Sequence, residues 1–277
     1  MFRLLLQELR FRRNAIIGWA IGLSCLPTLY VGMYPQFAED LWQMESIVNL
    51  EIYQALGMSF GSFEEWIAST VINIVPILVA IYAVVDGTGT LAGEEESGKL
   101  ELVVALPIPR WQIVTVKAIA IGISLFLIIL LVAIATTMVF VAIQDDVDTS
   151  LVWSDVVWGL LYTWPIAMSV GMISLFLGAF APTRRTAALI GAVVVITSYF
   201  GSNLSSQVST LESIQPLFLF HYLNATASLF EVGPQVSDII TLLGVALVAF
   251  ILALVFFHLR DITVGIWPWQ RARKVPG

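Results

Sequence analysis

Leu91-Ala-Gly-Glu-Glu-Glu-Ser-Gly-Lys-Leu-Glu-Leu-Val-Val-Ala-Leu-Pro-Ile-Pro-Arg110 is a charged island in a chain of 277 residues. Apolar runs flank it, roughly 68–88 before it and 114–143 after it. Each run reaches the ~20 apolar residues that a helix needs to cross a bilayer. The island therefore reads as a loop between two membrane spans. The same criterion, applied outward, gives four more spans near 14–34, 157–181, 186–204 and 238–259. The third span is long enough to tilt or to project from the bilayer. The sequence thus predicts an all-α membrane protein with one transmembrane domain over 1–277, its tail at 260–277. Composition agrees: 58% of residues are hydrophobic and 12% are charged, against about a quarter charged in soluble domains. Pro27, Pro76 and Pro165 fall inside spans. Neighbouring helices can re-satisfy the carbonyls that proline frees, so these positions predict kinks rather than breaks.

The basic residues test this segmentation independently. Of the 13 Lys and Arg, 12 fall at the two termini or in the loops after spans two and four, and Lys117 stands at the start of span three on the same side. The opposite loops contain acids and no Lys or Arg. The positive-inside rule then places both termini in the cytosol. Adding or deleting one span would scatter the pattern. The segment Pro216–Phe230 is apolar, but it is only 15 residues long and carries His221 and Asn224. A run of that length reads as re-entrant or interfacial. At the start of the chain, Phe2, Leu5, Leu6 and Leu9 share one helical face, with Arg3, Gln7 and Arg10 on the other. Residues 1–13 therefore read as an interfacial helix before span one.

With the spans in place, the island resembles the cytosolic segment between spans two and three of ABC-2 type transporter permeases. The matching residues are Glu94, Glu96, Gly98, Leu100, Glu101, Leu106, Pro107 and Arg110, followed by Lys117. Lys99 stands where the family commonly has Thr. The resemblance implies an elbow helix at the N-terminus and a re-entrant external element between spans five and six. It also implies an exporter subunit powered by a separate ABC ATPase in two copies. A second permease copy or a related permease would complete the assembly. ATP and Mg²⁺ would be bound by the ATPase, and this chain would hold no cofactor and perform no catalysis. Glu94, Glu95, Glu96, Gly98, Glu101, Pro107 and Arg110 become the candidate ATPase-coupling residues. The carboxylates would meet groups of the ATPase or the chain's own Arg110 and Lys117. Gly98 would permit the turn after the acidic run, and Pro107 would end the apolar run before span three. The expected setting is the plasma membrane, with lipids as partners and no nucleic acid.

Other chemistries find little support. Gly93-Glu-Glu-Glu-Ser-Gly98-Lys99-Leu100 mimics a phosphate-binding loop but has Leu100 where a Mg²⁺-binding Ser or Thr belongs. Only His221 and His258 are histidines, and they fall on opposite sides of the membrane, which disfavours a histidine metal site. No Asp, Glu, Lys or Arg lies near a span centre, and Asp86 and Lys117 sit near span ends. Ion-coupled carriers usually need such a group, so a self-powered carrier is disfavoured. Asn73, Thr136, Thr137, Ser169, Ser174, Thr197 and Ser198 are the polar residues inside spans. They either bond helix to helix or line a translocation path. A self-contained channel or carrier, or a scaffold without transport, remain as alternatives.

Four smaller readings complete the sequence. Cys25 lies in an apolar run and reads as a packing residue. Trp42, Trp66, Trp153 and Trp158 read as anchors at the outer interface, with Trp111, Trp267 and Trp269 at the inner one. The acids of 35–67 and 144–156 either attract cations or suit a salty exterior.

Overall fold

The computed structural model describes residues 1–43, 62–98, 108–205, 209–223, 225–226 and 228–259. Among these there is no strand. Six helical stretches are long and apolar enough to cross a membrane: Phe2–Phe37, Phe63–Glu96, Arg110–Asp146, Trp153–Phe180, Arg184–Ser205 and Val236–Leu259. All six correspond to the expected spans, and each is longer than the apolar run that predicted it.

Helix α1 runs from Phe2 to Gln43 without interruption, Pro27 and Pro35 included. The expected surface helix and span one are therefore joined with no loop at residue 13. Span two is built of parts: α2 (Phe63–Ile67), a π turn (Ala68–Ile72), α3 (Ile74–Thr88), a second π turn (Gly89–Gly93) and α4 (Glu94–Glu96). Ser62 caps α2 by accepting from the Glu65 N–H at 3.2 Å. Pro76 lies in the first turn of α3 and cannot donate to the carbonyl of Ile72, where the first π turn ends. Helix α5 (Arg110–Ile143) follows Pro109, whose extended backbone starts it. Its 34 residues make a rod of about 50 Å, longer than a bilayer core of about 30 Å.

Span four departs from expectation. It is two helices, α6 (Trp153–Leu161) and α7 (Trp164–Phe180), separated by a turn at Tyr162–Thr163. Pro165 falls in the first turn of α7, where its missing N–H costs nothing. The proline therefore marks a restart of the helix rather than the expected kink. The break is held by side chains. Thr163 Oγ1 donates to the Leu160 carbonyl at 2.7 Å, and the Tyr162 hydroxyl donates to Tyr222 O at 3.2 Å.

Helix α8 (Arg184–Ser205) is span five. Two 3₁₀ turns (Ser209–Leu217 and Leu219–Tyr222) and the short α9 (Ser228–Val232) follow. None is long enough to cross a bilayer. Asn224 lies outside the described residues. Helix α10 (Val236–Leu259) is span six.

The core lies where α7 packs against α3 and α10, and where α1 runs along α5. Small residues allow the closest approach. A Cβ on Gly87 of α3 would sit 2.6 Å from the Cβ of Ser174 and 2.9 Å from the Gly171 carbonyl on α7. Gly178, one further turn along α7, meets the Gly87 and Thr88 carbonyls in the same way. Backbone contact of this kind is how membrane helices associate when lipid removes the hydrophobic drive.

Trp66 is not the interface anchor expected of it. It is buried, donates its indole N–H to Tyr30 O at 3.0 Å, and meets the rings of Tyr30 and Tyr34. Trp153, Trp158 and Trp111 are exposed, as anchors are. The Trp42 side chain, Trp267 and Trp269 lie outside the described residues. Cys25 is exposed rather than packed.

Candidate functional site

The charged residues of the island converge on the basic end of the bundle. Lys117, from the first turns of α5, is only 2% exposed. A buried ammonium needs carboxylates, and it has two. Lys117 Nζ donates to Glu94 Oε1 at 2.7 Å and to Glu8 Oε1 at 3.1 Å. Glu8 also lies 3.7 Å from Nε of Arg12, one helical turn along α1. Arg12 is buried; it pairs with Asp86 of α3 and donates to Thr90 Oγ1 at 2.7 Å. Thr90 in turn donates to the Asp86 backbone carbonyl at 2.6 Å. Two cations thus sit among three carboxylates drawn from spans one, two and three.

The second π turn places the acidic run. Glu94 points to Lys117, while Glu96 reaches span five, where its Oε1 accepts the backbone N–H of Arg184 at 2.7 Å. That N–H begins α8 and has no partner within the helix, and a carboxylate there also meets the positive end of the helix dipole. The Arg184 side chain lies back over span two. Its guanidinium is 3.2 Å from where a Cβ on Gly89 would stand, and its Cδ is 3.1 Å from that of Gly93. Glu95, between the two, is buried at 6% exposure. The run then turns at Gly98, whose φ of +71° lies in the left-handed region that glycine adopts without strain. Glu101 and Pro107 lie outside the described residues.

Arg110 opens α5 and reaches across to span six. Its Nη1 donates to the Phe257 and His258 carbonyls, each at 3.4 Å, at the end of α10. A cation at a helix C-terminus offsets the negative end of its dipole. The island is thus tied to spans one, three and five at its start and to span six at its end.

The polar residues proposed to line a path are dispersed. Ser169 donates to Leu242 O at 2.6 Å and Pro165 O at 3.0 Å, joining α7 to α10. Ser198 accepts the Phe220 N–H at 3.2 Å and holds the second 3₁₀ turn on α8. Thr136 donates to its own helix at Val132 O, 2.8 Å away. Ser174 is buried against Gly87. Thr137 borders a shallow groove beside Met138 and Trp153. Thr197 is exposed on α8. Asn73 alone opens onto a polar cavity at the acidic end.

The ABC-2 family transporter model matches residues 3–262, nearly the whole chain. The chain belongs to the ABC-2 family. No curated relative matches it. As an ABC-2 permease it is a transmembrane, multi-pass transporter component. The sequence could not place Glu8, Arg12, Asp86 and Thr90 in this permease's charged site. Glu8 and Arg12 share a face of α1 at i,i+4 spacing, which was the one available signal.

Proposed function

We propose that this ABC-2 permease is the membrane half of an exporter, with the stretch from Glu94 to Arg110 passing the motion of a separate ATPase to the spans. The observation that carries the reading is mechanical. Glu94 is bonded to Lys117 of span three, Glu96 to the first N–H of span five, and Arg110 to the last carbonyls of span six. A partner that displaces the stretch between them would pull on all three spans, and on span one through Glu8. Two permease copies, or one copy and a related permease, would pair with two ATPase subunits that bind ATP and Mg²⁺. The setting is the plasma membrane, with the basic end and both termini in the cytosol.

Charge reversal tests the coupling. The double variant Glu96→Arg, Glu101→Arg should insert normally yet lose the ATPase on purification or lose transport. Interfacial charges set partner choice and register, whereas an isolated surface pair contributes little. Copurification with the ATPase together with transport at the normal rate would refute the role.

Sidedness has its own test. In a Cys25→Ala background, single cysteines replace Asp146 or Arg185, both exposed. An impermeant thiol reagent added to intact cells should label the first and spare the second. The reverse pattern would invert the topology.

A further inference from the structure

A cavity of about 530 Å³ opens at the acidic end, where four parts of the chain meet. Asn73 enters from the joint between the first π turn and α3, Asn203 from the last turn of α8, Gln215 from the first 3₁₀ turn and Gln235 from the approach to α10. Nine of its twelve lining residues are polar. A hydrophobic occupant would strip water from those groups and return no hydrogen bonds, which is costly. Among the described lining residues none is Lys or Arg, and residues 35–67, 144–156 and 205–237 contain neither. A phosphate or carboxylate would find no cation there and would face Asp238. A cation would find one carboxylate, Asp238, among eight other polar residues, so the lining as a whole suits a neutral ligand with many hydroxyls. Carboxamides and hydroxyls each donate and accept, which is the pattern a hydroxyl-rich ligand needs. The volume falls in the range of about 300–1,000 Å³ that small-molecule sites occupy. Asn73 is 5% exposed and closes a π turn, a helix irregularity frequent at functional sites.

We propose that this cavity binds a neutral, hydroxyl-rich group, either a soluble sugar or the headgroup of a glycolipid. As a cargo site it rests on the export reading above; as a binding site it does not.

The test uses the full-length permease in phosphatidylcholine nanodiscs, free of sugar detergents. Saturation-transfer NMR reports sucrose binding, with glucose 6-phosphate as the charged comparison and benzyl alcohol as the apolar one. Sucrose should give a saturable signal that the other two do not match. Asn203→Leu with Gln235→Leu should weaken sucrose binding about tenfold, equivalent to about 1.4 kcal/mol. Gln235 is exposed, so Gln235→Leu alone serves if the double variant fails to fold, with a loss of about threefold, as expected for one hydrogen bond. Glucosyl diacylglycerol doped into the nanodiscs separates the two sources. Displacement of sucrose assigns the site to a lipid headgroup, and undisturbed sucrose binding assigns it to a soluble sugar. No saturable sucrose signal, equal binding of the phosphate ester or benzyl alcohol, or unchanged affinity in the variants would overturn the proposal. Sucrose binding without sucrose transport would instead count against export as the use of the site and leave the site standing.

Discussion

Replacing Lys117 by methionine should destabilise the permease by about 3–5 kcal/mol, the cost of breaking a buried ion pair from one side. The side chain is 2% exposed and sits between Glu8 and Glu94, themselves about a quarter exposed. Methionine keeps the stem's volume and removes the charge. Three carboxylates would then face Arg12 alone, since Asp86 and Glu8 already share it. Partial exposure of the two glutamates places the loss toward the lower end of the range. Heating the detergent-solubilised protein and following the monodisperse peak on size exclusion gives the measurement. Adding Glu8→Gln and Glu94→Gln should restore much of the loss, because neutral carboxamides carry no charge to strand. A single variant that melts with the wild type would show that Lys117 does not neutralise this cluster.

Gly87→Leu should abolish the folded peak altogether. The new Cβ alone would stand 2.6 Å from Ser174 Cβ, 2.9 Å from Gly171 O and 3.1 Å from Leu175 N. Two of those three atoms are backbone, so no rotamer change relieves the clash. Helices α3 and α7 would have to separate, and the loss would exceed the about 1–3 kcal/mol typical of overpacking. Gly244→Leu is the control, because nothing lies within 4 Å of its Cβ position. It should change stability by no more than about 0.5 kcal/mol, as surface substitutions do. A folded, normally melting Gly87→Leu protein would mean that α3 and α7 do not meet as described.

Some of this was legible in the sequence. The six spans follow from apolar length. Lys117 was one of three partners left open for Glu94, beside Arg110 and groups of the ATPase. Arg110 reaches the end of α10, and no local pattern marks contacts across 147 residues. The break at Tyr162–Thr163 was hidden because Leu161, Tyr162 and Trp164 continue an apolar run and Pro165 looks like a residue inside a helix. Nothing in the sequence marked Arg12 as buried, because its partner Asp86 is 74 residues away. Trp66 read as an anchor by its place near a span end, and only the fold brings it under Tyr30.

The π turns bear on how related chains should be aligned. A π turn closes i to i−5, as the Asn73 N–H does to Ala68 O at 2.9 Å, and so holds one residue more than an α turn. Span two contains two such insertions, at Ala68–Ile72 and Gly89–Gly93. A relative with a straight span two would be one residue shorter at each place. An alignment that forbids gaps within spans would slide α3 by one position, about 100° around the helix. Gly87 would then be matched to a residue facing away from α7, and the island's glutamates to residues on the wrong side of the helix. Single-residue gaps at these two turns keep the contacts in register.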